Sequence, residues 1–338
     1  MRLVSAPRRA SRISGHSAAQ AIAETLKLAR RADELGYHRY WLAEHHAIAA
    51  LADPCPEILL ARLGAETRRI RVGTGGVLLP YYSAFKVAEV FRMLEALYPG
   101  RIDLGIGRAP GGDQRTARAV GGGHFPDAEQ FPQQVWELVG CLDGTLPEDH
   151  PFAKVRVQPE GRIAGRVAPE VWLLGSSDYS GLLAAQLGVR FSFAHFINAQ
   201  GGDAVMRAYK ERYQTSGREP EPHTSVCCFV ICAESDADAE RLARVVDVRR
   251  LDMAYNLDTP VPTQEQAEQR GFNAEERAHI QSQRARLVHG SAETCKEKLL
   301  SVAEKFSADE LMVLTITGDY ATRLESYELL ARAFALAG

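Results

Sequence analysis

Within residues 17–35, SAAQAIAETLKLARRADEL, apolar side chains recur at Ile22, Leu26, Ala29 and Leu35 with charges between them, and Gly36 follows. That spacing predicts an amphipathic helix with a glycine stop. YHRYWLAE then reads as a strand, and DPCPEILLARLGAET as a helix that Asp53 caps with Pro54 in its first turn. RIRVGTGGVLL reads as strand, SAFKVAEVFRMLEALYPG as helix and RIDLGIGR as strand. Beyond the glycine-rich GRAPGGD and GGGH, the pattern predicts a helix over 127–142 and a loop rich in proline and charge up to Pro169.

EVWLLGSS, DYSGLLAAQLG, VRFSFAHF, GGDAVMRAYKERYQTS and HTSVCCFVICAE continue as strand, helix, strand, helix and strand. From 235 to about 290 the text is polar and mostly helical with no clear strand, which predicts a mobile polar insertion. SAETCKEKLLSVAEKFS, ADELMVLTIT and DYATRLESYELLARAFALA close the chain as helix, strand and helix. Strands near residues 2, 37, 69, 101, 171, 189, 224 and 310 make eight, nearly all separated by helices. Eight such units predict a (β/α)8 TIM barrel with insertions, one α/β domain over residues 1–338. A doubly wound sheet would instead place a G-x-G-x-x-G turn after an early strand, and none stands there.

Length and composition agree: 338 residues, 46% of them hydrophobic, suffice for one large core. A net charge of -3 with intermixed signs argues against nucleic acid or an anionic membrane as partner. Charges interrupt every apolar run before membrane-spanning length, so a soluble, cytoplasmic protein is expected. Six cysteines without zinc-type spacing read as reduced thiols, with Cys228 and Cys232 as buried packing. The arginine- and serine-rich start, MRLVSAPRRASRISGHSAAQ, resembles a transit peptide, but helix periodicity begins by Ser17 and no cleavage site is marked, so targeting is disfavoured.

In a barrel the chemistry sits where strands end. Those ends carry Glu44, His45 and His46; Thr74, Gly75 and Gly76; Gly107 and Arg108; Gly175, Ser176 and Ser177; His195; Glu234; and Thr315 and Thr317. Adjacent residues of an extended chain face opposite ways, so one of the two histidines is expected to line the pocket, and a shared metal is disfavoured. GTGGV, nearly free of side chains, lets a planar ligand approach the backbone. Arg108 with Ser176, Ser177 and Ser180 at a helix start suits a phosphate.

ADELGYHRYWLAEHH, RIRVGTGGVLLPYYS, VAEVFRMLEALYPGRIDLGIGRAPGG, VWLLGSSDYS, FAHFIN and ADELMVLTIT stand in the order of the bacterial luciferase-like monooxygenases, flavin-dependent barrels that the chain resembles over nearly its whole length. The resemblance implies reduced FMN delivered by a separate flavin reductase, dioxygen as co-substrate, a flavin hydroperoxide and oxidation of a small organic substrate. It implies His45 as catalytic residue, oriented or tuned by Glu44, and a non-proline cis peptide at Gly75 and Gly76 beneath the flavin. It places Arg108 on the flavin phosphate, with Gly175, Ser176, Ser177, Asp178, Tyr179 and Ser180 as the phosphate-binding turn, and no metal. A homodimer is expected, with Phe91, Leu94 and Leu97 as candidate contacts, and residues 259–290 as candidate lid. Trp41, Tyr81, Tyr82, Phe193 and Phe196 suggest an apolar pocket.

Three other readings stay open. One is a deazaflavin-dependent oxidoreductase of the same fold; another is a non-catalytic flavin-binding homologue; the third is a metal-dependent hydrolase using His45, His46 and His195. The opening MRLVSAPRRASRIS departs from the family, with a short or displaced first strand expected.

Overall fold

The computed structural model describes residues 2–8, 10–109, 111–160 and 169–336. Arg9 and residues 161–168, on which the first-strand and long-loop expectations partly fall, lie outside the described residues. Eight parallel strands close on themselves: β1 (Arg2–Arg8), β2 (Arg39–Leu42), β3 (Arg71–Thr74), β5 (Ile102–Gly107), β6 (Glu170–Gly175), β7 (Arg190–Ala194), β8 (Thr224–Cys232) and β10 (Glu310–Leu314). β10 pairs with both β1 and β8, which completes the ring.

Two short strands lie outside that ring. β4 (Val77–Leu78) continues the third strand past a break at Gly75 and Gly76 and pairs with the upper half of β5. β9 (Leu287–Gly290) pairs with the upper half of β8, inside the stretch expected to lack a strand. The first strand is not short: it runs seven residues, with its irregularity between Ser5 and Arg8. Pro7, which has no N–H to give the ladder, sits at that register shift.

Strand alternation divides the core in two. Outward residues such as Tyr40, Val171, Phe191, Phe193, Cys228 and Val313 pack against the helices. Inward residues Trp41, Trp172, Cys227, Met312 and Leu314 fill the barrel. Gly73 is what admits this filling, because a Cβ there would lie 2.5 Å from the Asp103 Cβ and 3.0 Å from the Trp41 ring.

Below the two tryptophans the barrel floor is ionic. Arg39 donates to Asp103 (2.9 Å), Glu170 (2.8 Å) and Glu310 (2.8 Å), while Arg71 and Arg190 extend the network to Glu170 and Glu219. Burial alone would lower the Arg39 pKa, but Asp103 and Glu310 hold it well above its ordinary value. Asp103 is likewise held low by Arg39 and Arg71 against its burial.

The helices include α1 (Ala18–Glu34), α2 (Pro56–Glu66), α3 (Ala84–Leu97), α4 (Gln114–Val120), α5 (Phe131–Asp143) and α6 (Asp178–Leu187). Asp53 does not cap α2, which begins two residues beyond Pro54 with Pro56 in its first turn; its Oδ1 accepts from the Ala10 N–H at 2.9 Å. α4 was unforeseen, and its cap is Asp113, whose Oδ1 accepts from the Thr116 N–H. Phe91 and Leu94 of α3 pack into the core and so cannot serve as dimer contacts, whereas Leu97 is exposed. Within 235–290, α8 (Asp236–Ala254) is packed against the barrel through Ala239, Leu242, Ala243 and Val246. The excursion proper is residues 255–286, with α9 (Gln264–Gln269) and α10 (Ala274–Arg284). α7 (Gly202–Glu211), α11 (Ala292–Lys305) and α12 (Tyr320–Ala333) complete the outer layer. Among the described residues no helix is long and apolar enough to cross a membrane.

Candidate active site

A cavity of about 290 Å³ opens at the C-terminal ends of the strands and gathers Glu44, His45, Gly75, Gly76, Gly107, Arg108, Gly175, Ser176, Ser177 and Ser180. Two further hollows, beside Arg92 and Trp136, open among the outer helices and gather no strand end.

β2 ends at Leu42, and beyond it the Glu44 and His46 side chains meet each other. His45 lines the cavity, with Nδ1 3.4 Å from the Ala43 carbonyl oxygen. Glu44, 3% exposed, turns to His46 rather than to His45. Its Oε1 accepts from His46 Nε2 at 2.8 Å and from the Tyr82 hydroxyl at 2.5 Å, and its Oε2 from the Leu78 N–H at 2.8 Å. As a carboxylate it can only accept, which makes His46 Nε2 the protonated nitrogen. The Glu44 N–H also donates to the Gly76 carbonyl at 3.4 Å. Glu44 is therefore a strut between the end of β2 and the broken third strand. Burial, then the bond to Glu44, pushes the Tyr82 pKa far up and keeps its hydroxyl a donor; burial, with Glu44 nearby, also raises Glu57.

The Gly75–Gly76 peptide is cis. On the other side of the mouth, α6 starts at Asp178 with Ser177 before it, and the Ser177 side chain makes no capping bond. A Cβ on Gly175 would lie 2.3 Å from Ser180 Oγ, so the glycine is what lets this hydroxyl fold back beneath the strand end. Arg108 lies over the Tyr179 ring, its guanidinium carbon 4.2 Å from the centroid. Asp178 Oδ1 accepts from the Tyr179 N–H, and neither residue is among those lining the cavity. One hydroxyl-bearing turn, a cation and helix N-terminal amides thus gather at the cavity.

The structure does not bring every expected strand end to the cavity. His195 is buried against Phe306, ring centroids 5.6 Å apart; Glu234 is exposed beside Arg332; Thr317 donates to the Asp319 carbonyl. Among the described residues no three His, Cys, Asp or Glu side chains gather as a metal site. Of the aromatics expected in the pocket, Phe196 lines it, whereas Trp41 lies deeper in the barrel and Phe193 faces outward into the core. The lining that sequence reasoning missed, Leu174, Ser192, Ala194, Cys227 and Leu314, occupies inward positions near the strand tops, a signal available from alternation alone.

Residues 3–310 match the family model described as luciferase-like monooxygenase. A luciferase-like monooxygenase of Escherichia coli (strain K12) is 39% identical over 324 residues, 93% of this chain and 92% of the relative. The N-acetyl-S-alkylcysteine monooxygenase of Bacillus subtilis (strain 168) is 34% identical over 94% of each chain. The crystal structure of apo-MsnO8 superposes with a TM-score of 0.90 at 37% identity, covering 100% of this chain and 99% of that one.

Proposed function

This chain belongs to the luciferase-like monooxygenase family, oxidoreductases that incorporate oxygen, and from that premise we propose that it uses reduced FMN and dioxygen to oxidise a small organic substrate. The observation that carries the reading is one cavity with His45 on one wall and a phosphate-type donor set on the other. Arg108, the hydroxyls of Ser176, Ser177 and Ser180, and the first amides of α6 fit a phosphomonoester. Gly75 and Gly76, with no side chains, leave the strand break open to a flat ring.

Reduced FMN bound there would supply the electrons that activate dioxygen, one atom of which goes to the substrate. Arg108 and the serines hold and orient it. His45, which lines the cavity, is the group that gives or takes a proton there. Glu44, His46 and Tyr82 fix the backbone that carries His45. Leu174, Ala194, Phe196 and Leu314 exclude water from the reacting face, and residues 255–286 serve as cover. We read the protein as a cytoplasmic homodimer joined through the exposed Ile58, Met93 and Leu97 of α2 and α3, and served by a separate flavin reductase.

The test is anaerobic titration with photoreduced FMN, then rapid mixing with oxygenated buffer while the absorbance spectrum is recorded. A transient species distinct from oxidised FMN is expected. Tight binding without one favours deazaflavin chemistry or a non-catalytic role, and absence of binding overturns the flavin reading.

A further inference from the structure

Arg250, near the end of α8, and Arg286, just before β9, stand apart from the other arginines of their neighbourhood. Arg284 is paired with Glu240 (3.0 Å) and Asp247 (2.6 Å), and Arg249 lies 3.6 Å from Asp252. Among the described residues no carboxylate pairs with Arg250 or Arg286. Arg250 gives its donors to main-chain carbonyls instead, of Gln283 at 2.7 Å and of Arg286 at 3.4 Å. Burial, and then repulsion from Arg286, pull the Arg250 pKa down to about 10.

Neither arginine is among the lining residues, but Arg286 touches one of them and Arg250 lies one ring further out. Arg286 Nη1 donates to the carbonyl of Ile197, a lining residue, at 2.7 Å. The Arg250 guanidinium lies 5.7 Å from the Phe229 ring centroid, and Phe229 meets the lining ring of Phe196 edge-on at 5.4 Å. Burial and a second guanidinium disfavour the charge on Arg250, and the carboxylate near it, Asp247, is already committed to Arg284, so an arriving carboxylate is favoured there. The donor set for the cofactor phosphate follows β5 and β6, whereas this pair stands beyond β7 on the side of β8 and β9. Between the two cationic ends the wall is apolar: Ala194, Phe196, Ile197, Cys227 and Leu314.

We propose that Arg250 and Arg286 form the acid-recognition end of the substrate site, so that the compound oxidised carries a carboxylate joined to an apolar portion lying along this wall. The proposal rests on reading the cavity as a joint flavin and substrate site. The carboxylate anchors and orients, and the apolar portion is presented to the reacting face.

The probes are 4-phenylbutyrate and its neutral amide, 4-phenylbutyramide, titrated calorimetrically into protein holding reduced FMN under nitrogen. The acid should bind at least about tenfold more tightly than the amide, a difference that one charge-assisted pair supplies. Arg286→Gln should erase that preference and Arg286→Lys restore part of it, with reduced-FMN affinity unchanged in both. Arg250→Gln should also erase it, but it removes donors to the carbonyls at and just beyond the end of α10, so Arg286 carries the test. Equal binding of acid and amide, no binding of the acid to the flavin-loaded protein, or loss of FMN affinity in Arg286→Gln overturns the proposal. If reduced FMN does not bind at all, the flavin reading falls by itself, and the acid-against-amide comparison is still read on the flavin-free protein.

Discussion

His45 and His46 are consecutive in the chain yet serve different neighbours. His45 faces the cavity and His46 the buried Glu44 carboxylate. His45→Ala is therefore expected to abolish product while leaving reduced-FMN affinity and melting temperature nearly unchanged; a variant that cannot bind flavin would make His45 structural. His46→Phe should behave oppositely, costing about 1–3 kcal/mol in denaturant unfolding by depriving a buried acceptor of its donor. His195 makes a third case. Burial, then Lys305, lower its pKa below the ordinary 6.5, and among the described residues its Nδ1 has no partner. Just below 6.5 the unfolded chain binds this proton more readily than the folded one, so stability falls as pH drops through that window. His195→Phe should flatten the stability profile just below pH 6.5. Parallel profiles for wild type and variant would remove His195 as a source of acid sensitivity.

Five strands of the ring open with a charge in the floor network, Arg39 in β2, Arg71 in β3, Glu170 in β6, Arg190 in β7 and Glu310 in β10, and in β5 it is the second residue, Asp103. These charges are taken out of water, so the network holds only while complete. Arg39→Met would strand Asp103 and Glu310, and urea unfolding should show a loss of about 3–5 kcal/mol. A loss under about 1 kcal/mol would mean that Arg71 and His223 compensate. The pattern was in the sequence, but taken singly each charge looks like an ordinary strand boundary. The eight-strand count and the strand-end cluster were legible because helix and strand periods alternate over most of the chain. β4 and β9, at two and four residues, are too short to show a period, and Leu287 and Val288 follow a long polar stretch that masks them. The orientation of Glu44 was legible in principle, since residues two apart share a side of an extended chain; the family resemblance had pointed it at His45 instead.

At the scale of the whole molecule, the barrel's mouth is bordered by a small second cluster joining segments far apart in sequence. Ile13, Ala50, Val245, Val248, Val261 and Ala267 pack together. The main chain adds two ties there, Val261 N–H to the Arg12 carbonyl at 3.0 Å and Ser14 N–H to the Val261 carbonyl at 2.7 Å. The arginine-rich start that departs from the family is thus the segment against which the excursion at 255–286 is held. If this assembly is the cover that keeps water from the reacting face, loosening it should uncouple electron use from product formation before it unfolds the barrel. Val261, 2% exposed, is the residue to change, because a carboxylate there must be taken out of water among apolar neighbours. Val261→Asp should raise the share of consumed oxygen that appears as hydrogen peroxide, measured against reduced FMN supplied, while the affinity for reduced FMN stays close to wild type. An unchanged peroxide share in a folded variant would mean that the apolar lining of the cavity, rather than the excursion, keeps water out.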